Sequence, residues 1–348
     1  MKFSSLVIVL LLLAGCGKET PKPSNESPSV LKSGILVLNE GMFQFNNSTL
    51  AWADFATNLI TTDFFEQKNN RSLGDTGNDL KRYGGKLYVV MSTSSTIEIL
   101  YATTGKSIKQ ISMMSGTTPK QPRSIAFYNG LAFVTCYDGF VDVLDTTSLT
   151  IAMRIPVGQN PEDLAVSNNK LYVSNSGGLN FPNVDSTVSV INLNTFQEIK
   201  RIPVGPNPGA LLCDSEGDIY VISRGDYGAI PAQLHRIETS SDSKTNDFNF
   251  PIQSMALFQD KLLISQPNNL LIKTFNTLNE SNSLSDLFTP SSITTLYGMH
   301  YSSISNKIYC FDANNYNATG FVLQYDLNGV FEKKYHVGLN PSKIVVYE

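Results

Sequence analysis

Gly85-Lys-Leu-Tyr-Val-Val90 and Asn169-Lys-Leu-Tyr-Val173 are two copies of one short apolar segment, and its recurrence decides the fold. Five further copies stand in the same frame: Gly34-Ile-Leu-Val-Leu38, Gly130-Leu-Ala-Phe-Val134, Gly217-Asp-Ile-Tyr-Val221, Asp260-Lys-Leu-Leu-Ile264 and Asn306-Lys-Ile-Tyr-Cys310. With Leu36, Tyr88, Phe133, Tyr172, Tyr220, Leu263 and Tyr309 as equivalents, the spacings are 52, 45, 39, 48, 43 and 46 residues. A period of about 40–50 residues is that of a four-stranded propeller blade.

The neighbours of each copy repeat as well. Before it comes a strand such as Arg123-Ser-Ile-Ala-Phe127, Glu162-Asp-Leu-Ala-Val166 or Gln253-Ser-Met-Ala-Leu257. After a polar loop comes an alternating strand: Thr96-Ile-Glu-Ile-Leu100, Phe140-Val-Asp-Val-Leu144 or Thr187-Val-Ser-Val-Ile191. Turn-forming runs follow, Asp145-Thr-Thr-Ser148, Asn192-Leu-Asn-Thr195 and Asp326-Leu-Asn-Gly329, in the manner of tight hairpins. A last strand, Met153-Arg-Ile-Pro-Val157 or Arg201-Ile-Pro-Val204, carries a proline, which suits a sheet edge where an N–H faces solvent. Lettered A to D from the inside out, the four strands make one blade. The first copy has no A strand before it, and the chain ends on a surplus one, Pro341-Ser-Lys-Ile-Val-Val-Tyr347. The sequence therefore predicts an all-β, seven-bladed β-propeller of four-stranded blades over residues 34–348, closed by the C-terminal strand pairing into the first blade. An open solenoid or paired sandwiches would leave that surplus strand unexplained.

The N-terminus reads as a targeting segment. Lys2, the apolar run Leu6 to Leu13, and Leu13-Ala14-Gly15-Cys16 match the signal peptide and lipobox of bacterial lipoproteins. The run is too short to cross a bilayer. Residues 1–15 are expected to be cleaved and Cys16 to be lipidated, with more than one acyl chain giving stable anchoring. A secreted protein with a chance cysteine is the alternative. Residues 16–33, rich in Pro, Ser, Lys and Glu, have too little apolar surface to fold and are expected to be a tether. Lys18-Glu19 is a weak form of the acidic signals that send some lipoproteins to the cell surface, so the expected location is the outer membrane.

A net charge of -4 without basic clusters argues against nucleic acid as a partner. Cys136, Cys213 and Cys310 lie in strands of different repeats and read as small buried side chains. No Cys-x-x-Cys or paired histidines suggest zinc, and neither a metal nor a cofactor is expected.

Ile-Pro-Val-Gly158-Gln-Asn160-Pro161, Ile-Pro-Val-Gly205-Pro-Asn207-Pro208 and Val337-Gly338-Leu-Asn340-Pro341 resemble the YncE-like seven-bladed propellers. Val37-Leu38-Asn39-Glu40-Gly41-Met42-Phe43, with Asn47-Ser48-Thr49-Leu50 and Leu73-Gly74-Asp75, resembles the BtuG-type cobalamin-binding surface lipoproteins. That resemblance implies a binding protein, not an enzyme. It would capture cobalamin or a related corrinoid and pass it to a TonB-dependent outer-membrane transporter. Propeller lipoproteins with the same Asn-Glu-Gly opening have other ligands, so a glycan- or protein-binding surface propeller, or a propeller hydrolase such as a lactonase, stays open.

In a propeller the B–C and D–A loops share one face around the channel mouth. Several of the B–C loops here are long for hairpins and rich in Asn, Gly and aromatic residues, as expected of a binding surface on a rigid scaffold. Candidate ligand-binding residues are Asn39, Phe43, Arg71, Arg123, Tyr137, Asn175, Phe181, Arg224, Tyr227 and Tyr316. Amides can pair with corrin amide side chains, aromatics offer contact area at low entropic cost, and arginines suit a phosphate. The bland alternatives are turn-forming Asn and Gly, arginines bonded to loop carbonyls, and Glu40 and Asp75 capping turns. Trp52 reads as packing. Catalysis would need paired acids and bases, yet His235, His300 and His336 fall in C, A and D strands. Glu40, Asp75, Asp138 and Asp226 lack the dense spacing of a calcium loop.

Overall fold

A computed structural model describes residues 30–348; the expected signal peptide, Cys16 and the tether up to residue 29 lie outside the described residues. The described chain forms seven four-stranded antiparallel sheets arranged as propeller blades. Blade 1 is closed as the sequence predicts. Its strands run Pro341–Tyr347, Gly34–Asn39, Thr49–Asp54 and Ile60–Thr61 from the channel outward. The closing pair is in register from Gly34 opposite Tyr347 to Leu38 opposite Lys343.

The seven equivalent residues chosen from the sequence each sit in a B strand and are fully buried. A B strand is flanked on both faces by neighbouring blades, which is why it reads as an apolar run rather than an alternation. The core lies between blades. Tyr88, Val90 and Ile97 of blade 2, for example, pack with Ile125, Val134 and Leu144 of blade 3. Each such aliphatic side chain contributes about 1.5–3 kcal/mol by leaving water. Tyrosines in the B strands also stitch adjacent blades: Tyr172 donates its hydroxyl hydrogen to Asp242, and Tyr220 donates to Glu280 at 3.0 Å.

The Gly-x-Asn-Pro motif has a local cause. Asn160, Asn207 and Asn340 take positive φ (44°, 56° and 54°), as do Thr76 and Gln121 at the same place in blades 2 and 3. Asn tolerates this conformation better than most residues, and the following Pro opens the A strand. Each carbonyl then accepts the N–H of the first residue of the same blade's B–C loop: Ser176, Arg224, Glu40, Ser92 and Tyr137. The motif thus fixes the roots of the loops.

Two elements were not legible in the repeat. Blade 1 has an outer strand of only two residues, and a helix, Phe64–Asn69, covers the exposed edge. Its Phe64 stands 6.4 Å from Trp52, whose other edge meets Tyr347 at 5.4 Å, so Trp52 is a packing residue. A small hairpin, Met114–Ser115 with Thr118–Pro119, rises between blades 2 and 3. Leu31 N–H donates to Thr103 O at 2.7 Å, in the C–D turn of blade 2. The described chain therefore begins on the face opposite the B–C loops.

Candidate functional site

The B–C loop face carries exposed aromatics around a charged floor. Phe43 is 65% exposed, Phe181 56%, Tyr227 73% and Tyr316 48%, and a group of exposed rings on one face is the mark of an interaction surface. Phe45, Leu179 and Ile230 are exposed in the same loops.

Each ring is held by a loop with internal bonds. In the blade 1 loop the Asp75 carboxylate accepts the N–H groups of Gln44 at 3.2 Å and Asn46 at 3.0 Å. Both residues have positive φ, and the chain around them holds Phe43 and Phe45 outward. Asn47 Oδ1 accepts Met42 N–H at 2.8 Å, and Glu40 O accepts from Ser48 Oγ. The Asn-Glu-Gly and Leu-Gly-Asp segments therefore build one rigid hairpin tip. In the blade 5 loop, Asp226 accepts the N–H groups of Gly228 and Ile230, both at 2.8 Å, and Tyr227 Oη accepts from Asn207 Nδ2 at 2.9 Å. Phe181 of the blade 4 loop faces Tyr227 at 6.2 Å. Tyr316 of blade 7 meets Tyr297 edge-on at 5.7 Å. A cavity of about 240 Å³ opens beside the first loop, between Asn47 and Glu66.

The floor centres on Glu162, in the innermost strand of blade 4 (Pro161–Ser167), a residue not among the candidates. Its carboxylate accepts from Arg123 of blade 3 at 2.8 Å, from Arg224 of blade 5 at 3.2 Å, and from the Tyr137 hydroxyl. Arg123 also lies 4.6 Å from the Tyr137 ring centroid. Burial opposes ionisation of Glu162, but the two guanidinium groups outweigh it and hold its pKa at about 2. Burial and the same carboxylate push the Tyr137 phenol far up. Across the mouth, Glu40 accepts from the Tyr297 hydroxyl at 2.5 Å; burial raises its pKa above the ordinary range against that bond. Deeper in the channel, burial pushes His300 down to about 4.

The structure brings Phe43, Arg123, Tyr137, Phe181, Arg224, Tyr227 and Tyr316 to this face and places three candidates elsewhere. Asn39 and Asn175 are fully buried at the ends of B strands. Asn175 Nδ2 donates to Thr187 Oγ1 and Ser189 Oγ, and its Oδ1 accepts Gly158 N–H at 3.1 Å. Asn39 repeats half of the arrangement: its Nδ2 donates to Thr49 Oγ1 at 3.0 Å and it packs against Gly338, while its Oδ1 accepts no hydrogen bond. Both are scaffold beneath the loops. Arg71 is on the outer flank between blades 1 and 2, bonded to the buried Glu98 at 2.7 Å and stacked 4.9 Å from Phe65. An inward-pointing acid in a C strand demands such a cation.

The acids considered for calcium are separately engaged: Asp75 and Asp226 in loop turns, Asp138 with Arg154 at 2.6 Å, and Glu40 with Tyr297. Among the described residues no group of three or more His, Cys, Asp or Glu side chains is arranged to hold a metal ion. Cys136 and Cys310 are buried free thiols, and Cys213 is half-buried.

Blade 5 holds a serine–histidine–aspartate relay that the sequence did not announce. Asp247 accepts from His235 Nδ1 at 2.5 Å, leaving Nε2 to accept from Ser223 Oγ at 2.7 Å. Ser223 and His235 are both buried. A Cβ on Gly205 would lie 2.5 Å from Ser223 Oγ, so this backbone closes the approach a substrate would need. The relay fills the place that Asn175 and Ser189 fill in blade 4, and burial lowers the His235 pKa.

The fold is similar to a quinoprotein alcohol dehydrogenase-like protein from Bacteroides thetaiotaomicron VPI-5482, with a TM-score of 0.69, 13% identity, and coverage of 91% of this chain and 79% of that one. Hydrazine synthase of Kuenenia stuttgartiensis is similar at a TM-score of 0.61 and 14% identity over 74% of this chain and 85% of that chain. The computationally designed Ika8 protein is similar at 0.57 and 13% over 90% and 91%. At such identities these likenesses bear on the fold alone. No curated protein matches the chain. A family model does match over residues 33–241, and the chain belongs to the family described as Domain of unknown function (DUF5074).

Proposed function

We propose that the chain is a surface lipoprotein of the outer membrane, anchored through Cys16, which binds a corrinoid such as cobalamin on the B–C loop face and passes it to a TonB-dependent transporter. The observation that carries the reading is the gathering of Phe43, Phe181, Tyr227 and Tyr316 on one face around the Arg123–Glu162–Arg224 floor. A corrinoid offers broad apolar faces, an edge of amides and one phosphate, and this surface offers rings, guanidinium groups and the exposed amides of Gln44 and Asn46 in the blade 1 loop. The loops are braced before any ligand arrives, which limits the ordering cost of binding. The likeness of the Asn39-Glu40-Gly41 and Leu73-Gly74-Asp75 segments to BtuG-type proteins supports the same ligand. The closed approach to Ser223 favours binding over hydrolysis.

Isothermal titration of the folded domain with cyanocobalamin tests the reading. Saturable binding at one site is expected. Absence of heat together with retention on a glycan affinity gel would replace the corrinoid by a sugar, for which the same rings are suited.

A further inference from the structure

Arg224 differs from Arg123, the other arginine on Glu162, in how it is supported and how little it is used. At Gly209, in the innermost strand of blade 5 (Pro208–Cys213), a Cβ would stand 2.7 Å from Arg224 Cζ and 2.8 Å from its Nε. The guanidinium therefore lies flat on a bare Cα, and any larger residue would lift it away. Its backbone is fixed by the N–H bond to Asn207 O at 2.9 Å. Its Nη2 reaches Glu162 at 3.2 Å, and 38% of the side chain stays exposed. Among the described residues this is the only hydrogen bond the guanidinium makes, so most of its five donors remain free. Arg123 is more enclosed, bonded to both Ser92 and Glu162.

Arg123 also feels Glu40 across the mouth, whereas Glu162 is the one acid acting on Arg224. Two guanidinium groups share the single carboxylate of Glu162, and Tyr137 adds only a neutral donor. Lys343, in the innermost strand of blade 1, is exposed and has no ion pair or hydrogen bond among the described residues, and its field reaches Glu40, Asp79 and His300. Beside Arg224 stand the exposed rings of Phe181 and Tyr227.

We propose that Gly209 and Arg224 form an oxyanion-binding subsite on the blade 4–blade 5 side of the mouth, which takes a phosphate or carboxylate carried by a flat ligand. The planar fork of arginine suits two oxygens of such a group, and the adjoining rings suit the body that carries it. The subsite rests on the small-ligand reading of this face, but not on that ligand being a corrinoid.

The test compares cyanocobalamin, which contains a phosphodiester, with dicyanocobinamide, which lacks the nucleotide and its phosphate. In the wild-type protein the first binds about tenfold tighter or more, as expected for a charge-assisted bond, and the gap narrows as salt rises. Arg224→Gln narrows the gap about tenfold and removes its salt dependence, and Gly209→Ala, which keeps the charge but displaces it, does the same; Arg224→Lys restores part of it. Thermal melts check that each variant is folded. An unchanged ratio in Arg224→Gln overturns the subsite while leaving corrinoid binding standing. If neither corrinoid binds, the corrinoid reading falls and phenyl phosphate is compared with phenol by NMR at the Arg224 Nε–H. A shift with phenyl phosphate alone upholds the subsite, and no shift with either overturns it.

Discussion

Replacing Glu162 by glutamine keeps the shape of the floor and removes the one negative charge that two guanidinium groups share. The magnitude follows from its ionisation. A fall from the ordinary 4.5 to about 2 corresponds to about 3 kcal/mol of stability at neutral pH. Because the folded pKa is depressed, this contribution is complete above about 4.5 and is lost as pH falls toward about 2. Glu162→Gln lacks it at every pH. Breaking a fully buried pair costs about 3–5 kcal/mol, and the partial exposure of Arg224 puts the expected loss at the lower end. Urea unfolding followed by the fluorescence of Trp52, the single tryptophan and a buried one, measures both proteins in the same way. The expected gap is about 3 kcal/mol near pH 7 and about 1 kcal/mol near pH 2.5. A gap that stays constant across that range would refute the assignment of Glu162 as the charged centre of the mouth.

Three further outcomes follow from contacts around the ring. Gly158→Ala would put a Cβ 2.4 Å from Asn175 Cγ and is expected to cost about 2–4 kcal/mol in unfolding experiments; an unchanged melting temperature would mean that Asn175 does not brace the loop. Asp75→Ala frees the N–H groups of Gln44 and Asn46, so hydrogen exchange over residues 42–47 should quicken while the distant blades stay protected. A fluorophosphonate probe should leave Ser223 unlabelled, and Ser223→Ala should lower stability by about 1–2 kcal/mol through loss of the His235 bond; covalent labelling of Ser223 would bring back the hydrolase reading.

The blades were legible because a B strand packed on both faces has few solutions. Residues such as Tyr88, Tyr172 and Tyr220 must be apolar and buried, and they recur at the blade period. The closing strand was legible for a topological reason, since one copy lacked an inner strand and the C-terminus had one to spare. The site was legible as a face but less so residue by residue. Asn39 and Asn175 stand where loops begin, and sequence alone does not say whether such an amide points up or in. Their shared partners were visible, though: each is followed by a threonine that opens the C strand, Thr49 or Thr187, and bonds back to it. Arg71 was misplaced because its partner Glu98 lies 27 residues away in the inward register of an alternating strand. Glu162 was missed although Pro161-Glu162 occupies the same strand position as Pro122-Arg123 one blade earlier. Opposite charges at one position of neighbouring blades are the mark of a pair between adjacent innermost strands. The helix at Phe64 and the hairpin at Met114 fall outside the repeat, so no periodicity could announce them.

The most direct measurement is hydrogen–deuterium exchange of the folded protein with and without saturating cyanocobalamin. The proposal predicts slowed exchange in the B–C loops bearing Phe43, Phe181, Tyr227 and Tyr316, with the C–D turns and the Leu31 side of the propeller unaffected. Protection confined to that opposite side or to the outer strands would contradict it, as would no protection anywhere.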